Sequence, residues 1–333
     1  MKKIFSIILS LLLIVGSTLP NAAAENAPLI VLDEKTVDNS IVRQIKIDEA
    51  GLKGMKLSDD EFLRILGFTE KEIQALPQTD KNALLNSSNI SANISHYKID
   101  SYGIATPVSQ DVAELGATQV VEQLHSGVDL HVSDEKEDPD GYIRVSCYTA
   151  KLNGTARRNK TIVTVVWLTD PAFQIEEVIG IAISGNFEVL HTTIAGGLSY
   201  TKKYNDLSGT TITSEYDPFD QELTSYVGSD PSTNCCYTLD LPSDTRSIYT
   251  STNYTDFVVT LSCEAELKPG YSGEQSHYSS GYYIHSKRDV DITASMSLTV
   301  SNTGITPPVL TLAATLVDNV IEVKCPVRLV EEY

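Results

Sequence analysis

From about Gly141 onward the chain takes up a two-residue period and holds it almost to its last residues. Tyr142–Leu152, Thr161–Leu168, Glu177–Ile183, Phe187–Tyr200, Phe257–Leu267, Tyr282–His285, Val290–Val300 and Val309–Val327 alternate apolar with polar side chains or run apolar with many β-branched residues. Successive side chains on a strand point to opposite faces, so such runs read as strands with one or both faces buried. Between them lie Asp138-Pro139-Asp140-Gly141, Asn153-Gly154, Ser184-Gly185-Asn186, Pro269-Gly270 and Asn302-Thr303-Gly304. Each offers the fixed φ of proline or the left-handed conformations of glycine and asparagine that turns require. Strands at this spacing must close their apolar faces against one another, which predicts an antiparallel sandwich or barrel.

Upstream the period is helical. Ser58-Asp59-Asp60-Glu61 is a capping box, in which Ser58 accepts from the N3 amide while Glu61 reaches back. Phe62, Leu63, Ile65 and Leu66 follow, and Gly67 can stop the helix in the left-handed conformation. Thr69-Glu70-Lys71-Glu72 repeats the box ahead of Ile73 and Leu76, with Pro77 as the stop. A third helix starts near Thr79 or Asp80 and carries Ala83, Leu84 and Leu85. Residues 25–56 give no clear element, residues 86–96 read as a polar linker, and Val108–Leu124 fits either a helix or a pair of strands. The expectation is an α+β protein: a signal peptide at 1–24, an N-terminal region of short helices and polar linker at 25–96, and a mainly antiparallel β-sandwich-like domain at 97–333.

The first residues set the compartment. Lys2 and Lys3 precede an apolar run from Ile4 to Val15 broken only by Ser6 and Ser10, and Ala22 and Ala24 supply the small residues before a cut after Ala24. That is a secretory signal, so the mature chain is expected to be secreted and extracellular. No cysteine near the cut offers a lipid attachment point, and no later run approaches the roughly 20 apolar residues of a transmembrane segment. Leu76-Pro77-Gln78-Thr79-Asp80 matches the Gram-positive wall-sorting signal only in part, since Asp80 replaces its glycine and the site is internal, so covalent wall attachment is not expected.

The formal charge is −19, and removal of Lys2 and Lys3 takes it to −19 − 2 = −21. Phosphate backbones and anionic headgroups are held by clustered Lys and Arg, and the densest cluster here, Lys151 with Arg157, Arg158 and Lys160, is too small to reverse that balance. Nucleic acid is therefore excluded as a partner, and with it a helix-turn-helix reading of the three helices, whose first turns are acidic.

Candidate chemistry is sparse. Cys147, Cys235, Cys236, Cys263 and Cys325 are odd in number, adjacent cysteines rarely bond to each other, and no CxxC or ligand-spaced histidine suggests zinc. Their pairing cannot be read from sequence, and a buried thiol is the first reading for at least one of Cys147 and Cys263. His125-Ser126-Gly127-Val128-Asp129 resembles the HxGxD segment of lysostaphin-type zinc peptidases, which also need an HxH pair that is absent among His96, His125, His131, His191, His277 and His285. Ala182-Ile183-Ser184-Gly185-Asn186 lacks the flanking glycines of a nucleophile elbow.

No cofactor is expected. Two acidic loops, Asp134–Asp140 and Tyr216–Asp220, leave a loose calcium site open, although the first puts Lys136 and Cys147 where an EF-hand requires carboxylates. Trp167 lies in so apolar a run that it reads as core. Tyr271, Tyr278, Tyr282 and Tyr283, with His285, cluster in a Gly/Ser-rich stretch. Tyrosine is a low-entropy contact residue, which makes this cluster the candidate ligand-binding rim, set against ordinary cross-strand tyrosines of a hairpin.

Leu66-Gly-Phe-Thr-Glu-Lys-Glu-Ile-Gln-Ala-Leu-Pro77, Trp167-Leu168 followed by Pro171, Leu241-Pro-Ser-Asp244 and Tyr283-Ile284-His285 together resemble a group of uncharacterised secreted proteins of Gram-positive bacteria. The resemblance implies export and a helical lead into a β domain, and no activity. The functional expectation is a secreted, non-enzymatic protein whose β domain binds an unknown cell-surface or extracellular ligand. Two alternatives stay open: a membrane-acting β-pore protein, suggested by Ser/Thr-rich alternation such as Asp291–Ser301, and a hydrolase whose site is assembled from distant residues.

Overall fold

The computed structural model describes residues 30–47, 57–100, 104–125, 141–155, 157–171, 176–219, 231–286, 299–301, 309–311 and 320–332. The expected signal peptide at 1–24, the acidic loop 134–140 and most of the expected strand 290–300 lie outside them.

Strands β1 (Ile30–Val37) and β2 (Ser40–Ile47) pair throughout, from Ile30 opposite Ile47 to Val37 opposite Ser40. The two turn residues, Asp38 and Asn39, have φ of 47° and 68°. A two-residue hairpin turn of this hand needs positive φ at both positions, which Asp and Asn tolerate best after glycine. Helices α1 (Asp59–Leu66), α2 (Glu70–Ala75) and α3 (Gln78–Leu85) follow. Both capping boxes form, and Gly67 closes α1 with φ 102°.

The chain continues as β3 (Ser87–Ile99), β4 (Ala105–Val108), α4 (Gln110–His125) and β5 (Gly141–Leu152). The ambiguous stretch 108–124 is thus helix from Gln110, with Val108 ending β4, and the linker reading of 86–96 is corrected. Far from linking two regions, β3 runs between β2 and β5 and is hydrogen-bonded to both, so the expected boundary at 96 falls inside a strand. Its polar residues misled because they alternate: Ile90, Ala92 and Ile94 face one side, while Ser91, Asn93 and Ser95 face the other and are buried there as well.

Next come β6 (Arg158–Trp167), β7 (Glu176–Ile183), β8 (Phe187–Asp206), β9 (Gly209–Pro218), β10 (Asn234–Asp240), β11 (Thr245–Arg246) and β12 (Ser251–Leu267). The last are β13 (Glu274–Ser286), β14 (Thr299–Ser301), β15 (Val309–Thr311) and β16 (Val320–Glu332). One sheet of ten strands runs β1-β2-β3-β5-β6-β12-β8-β9, with β4 on β3 and β11 on β12. A second, of four, runs β10-β7-β13-β16, and β14 pairs with β15. The protein is thus α+β, mostly antiparallel strand, with a sandwich-like pair of sheets.

The layers follow from which face each side chain takes. Ile143, Val145, Val163, Val165, Val259 and Leu261 of the large sheet meet Ile179, Ile181, Tyr283 and Val323 of the small one in the principal core. On the opposite face of the large sheet, Ile90, Tyr148, Ala150 and Ile162 meet Phe62, Leu63, Leu66, Ile73 and Leu84 of the helices. Central strands β5 and β6 are therefore covered on both faces, which is why their sequence runs apolar instead of alternating strictly.

Two buried ion pairs fasten the helices to the sheet. Glu72 of α2 lies against Arg144 of β5 at 3.2 Å, and Asp80 of α3 against Lys160 of β6 at 2.9 Å. Glu72 also accepts from Ser146 Oγ at 3.0 Å, Thr164 Oγ1 at 2.5 Å and the Thr69 backbone amide at 2.7 Å. A buried carboxylate is tolerable when donors surround it in this way.

Candidate functional site

The structure divides the expected tyrosine rim. Tyr271 is 44% exposed and Tyr278 half-buried, with the Arg328 guanidinium 5.3 Å from its ring centroid. Tyr282, Tyr283 and His285 are buried, which corrects their assignment to an exposed rim. The physical reason is packing: on one face of β13 Tyr283 enters the core between the sheets, and on the other Tyr282 lies against Cys236 of β10 and Gly180 of β7. Tyr282 lies across Gly180 of β7, where a built Cβ would come within 1.9 Å of its ring.

Tyr283 and His285 point the other way, into the layer between the sheets, and there they meet residues that the sequence did not bring forward together. Glu177 of β7 sits directly opposite His285 in the register, and its Oε1 is 2.5 Å from His285 Nδ1. Trp167 of β6 donates its indole N–H to the Tyr283 hydroxyl at 2.9 Å and lies edge-on to the His285 ring, centroids 4.9 Å apart. The Tyr283 hydroxyl in turn neighbours Glu177. Burial pushes the Glu177 carboxyl above its ordinary range, and His285 offsets this only in part.

The arrangement links a carboxylate, an imidazole and a phenol by hydrogen bonds. Hydrolysis would require in addition a nucleophile and a route for substrate. Among the described residues no Ser, Thr or Cys side chain is hydrogen-bonded to His285, and the Glu177–His285 pair is closed to solvent. The cluster lies in the buried layer between the sheets.

The remaining sequence candidates do not converge. His277 is buried against Phe187 and Asn159, and burial lowers it to about 3; burial also lowers His96, first among several causes, to about 4. His125 has no described side chain, and residues 126–140, with the rest of the HxGxD segment and the first acidic loop, lie outside the described residues. In the second loop Asp217 accepts from Tyr200 at 3.0 Å, and Asp220 is not described. Among the described residues no three His, Cys, Asp or Glu side chains are placed to hold a metal. All five cysteines are buried thiols.

A different surface was not anticipated. The far halves of β8 and β12, with β9 and β11, form an arm at one end of the large sheet, and β9 is exposed at nearly every position. Asn205 of β8 pairs with Ser251 of β12, which places the β8–β9 turn beside the β11–β12 turn. The two turns present Leu207, 87% exposed, Ile248, 88%, and Tyr249, 63%, with Ile212 of β9 nearby at 65%.

Each turn is held by its own hydrogen bonds. Asp206 Oδ1 accepts from the amides of Ser208 at 2.7 Å and Gly209 at 3.1 Å, and Ser247 Oγ from those of Tyr249 at 3.3 Å and Thr250 at 3.0 Å. Behind the tip one face of the arm carries Tyr200, Lys202 and Tyr204 of β8 with Tyr254 of β12. Tyr200 stands edge-on to Tyr254 at 5.5 Å, and burial with the Asp217 bond raises its phenol to about 12. Lone apolar residues in polar turns give no periodic signal, so the only sequence cue was the number of tyrosines.

No protein-family model and no curated protein matches the chain. Among solved structures, a collagen-binding domain from a Staphylococcus aureus adhesin aligns at 8% identity and TM-score 0.22, covering 52% of this chain and 91% of that domain. AvmM, described as catalysing macrocyclization in alchivemycin A biosynthesis, aligns at 9% identity and TM-score 0.21, covering 51% of this chain and 80% of its own. Likenesses this distant carry no functional argument. Among the described residues no helix is long and apolar enough to cross a membrane.

Proposed function

We propose that the protein is exported, has no catalytic role, and binds a ligand at the cell surface or in the surroundings through the tip of the β8–β9–β12 arm. The observation that carries this reading is the juxtaposition of Leu207, Ile248 and Tyr249 on two hydrogen-bonded turns. Apolar side chains gathered at a protruding end cost solubility unless something covers them, and ordered turns spare the entropy of arranging them at binding. Export is supported by the basic, apolar and small-residue sequence of the first residues.

The test is co-sedimentation of the purified protein with Gram-positive cell walls and, in parallel, with lipid vesicles, comparing wild type with Leu207→Ser/Ile248→Ser/Tyr249→Ser. Pelleting with walls that falls at least tenfold in the triple variant supports the reading. Equal pelleting of both proteins sinks it. A second reading, a membrane-acting protein, is favoured by the same tip, because exposed aliphatic residues beside a tyrosine suit the membrane–water interface. It predicts pelleting with vesicles and release of an entrapped dye, both lost in the triple variant.

A further inference from the structure

Four of the five cysteines enter the layer between the sheets. Cys147 of β5 and Cys263 of β12 come from the large sheet, and Cys235 of β10 and Cys325 of β16 from the small one. Cys236, the next residue along β10, takes the opposite face and meets Tyr282. Within the layer the partners differ. Cys325 donates to the Asn93 carbonyl at 3.0 Å and lies 3.6 Å from Ser95 Oγ, while Cys147 is 4.0 Å from Ser279 Oγ. Cys235 and Cys263 are hydrogen-bonded to each other, thiol to thiol, across the gap between the sheets.

We propose that Cys235 and Cys263 are the oxidation site of this protein: in the presence of a disulfide oxidant they form one covalent staple between the two sheets, while Cys147, Cys236 and Cys325 remain thiols. Sulfurs already in hydrogen-bond contact need only small side-chain rotations to reach a bond of about 2 Å, whereas the vicinal pair Cys235–Cys236 has its side chains on opposite faces. The chemistry balances as ordinary exchange. The Cys235 thiolate attacks a small-molecule disulfide and releases one thiol. The Cys263 thiolate then attacks the Cys235 sulfur and releases the second, so two protein thiols become one disulfide as the oxidant is reduced to two thiols.

Timing follows from burial. The Cys263 bond and then burial push the Cys235 thiol well above its usual range, and both residues are 0% exposed. The folded, reduced chain therefore offers almost no Cys235 thiolate and keeps both sulfurs away from an oxidant. The staple forms during folding, before the layer closes.

The experiment starts from the full chain, denatured and reduced, and refolds it either in a mixture of reduced glutathione and glutathione disulfide or in excess dithiothreitol. Each sample is then denatured and alkylated. The expected result is five alkylated thiols from dithiothreitol and 5 − 2 = 3 from glutathione, with a Cys235–Cys263 cross-link in the peptide map. The cross-link persists in Cys236→Ser and disappears in Cys263→Ser, and the glutathione sample melts higher by on the order of 10 °C. Five alkylated thiols in the glutathione sample, or a cross-link between any other pair, overturns the proposal. The wild-type map decides the matter even if Cys263→Ser does not fold.

Discussion

Glu72 shows what a single residue contributes to this molecule. It accepts from Thr69, Arg144, Ser146 and Thr164 at once and is fully buried. Burial raises its carboxyl, but Arg144 and the surrounding donors outweigh that and leave it below the ordinary range. Its contribution to stability is present above the unfolded pKa near 4.5 and is lost as pH falls through the folded value. Glu72→Ala leaves Arg144 charged and unpaired in the interior. Urea unfolding at pH 7 should show a loss of about 3–5 kcal/mol, and adding Arg144→Met should recover part of it. The buried histidines act in the same direction at higher pH. His277 and His96 are lowered from 6.5 to about 3 and about 4, so between those values and 6.5 the unfolded chain binds protons that the folded chain refuses. Stability should fall between pH 6.5 and 4.5 by about 2 kcal/mol per histidine, and His277→Gln should reduce the slope by close to one proton. An unchanged slope in that variant would remove His277 from the account.

At the scale of elements, β1, β2, β9, β10 and β11 gave no run that marked them as strands, while helices α1–α3 and strands β5, β6, β7, β8 and β12 were legible because capping boxes and alternation are local. β3 was not, because its polar face is satisfied from the other end of the chain. Asn93 donates to the Pro326 carbonyl at 2.6 Å, Ser95 lies by Cys325, and the Tyr97 hydroxyl donates to the Lys324 carbonyl. A serine- and asparagine-rich run that buries itself against a distant strand cannot be told from a linker by its own pattern. Asn93→Ala should therefore cost about 1–3 kcal/mol in urea unfolding, more than a linker position would show. The buried cluster was legible to the same degree: Tyr283 and His285 were visible as a pair, but Glu177 is 108 residues away and joins them only through the β7–β13 register; the candidate site at the arm tip, Leu207, Ile248 and Tyr249, left no periodic signal at all. Close approach sets a further limit on elements. A Cβ on Gly196 would stand 2.1 Å from the Thr260 carbonyl oxygen, so Gly196→Ala should force β8 from β12 and lower the melting temperature by several degrees.

For the whole molecule, the helices pack on one face of the large sheet and the small sheet on the other, and the boundary expected at residue 96 falls within β3. A fragment of residues 97–333 loses β2 and most of β3 and uncovers the helix-facing side of β5 and β6. It should show no cooperative thermal transition and should be degraded by protease under conditions that spare the full chain; a sharp transition would restore the two-body view. The contact of β3 with β16 also governs time. Asn93 and Pro326 are 233 residues apart, so a chain synthesised N-terminus first holds an incomplete interior until β16 has emerged. Its β strands wait, open and adhesive, for a final strand to close them. Such connectivity keeps the core from closing early and leaves strand edges open for as long as β16 is delayed.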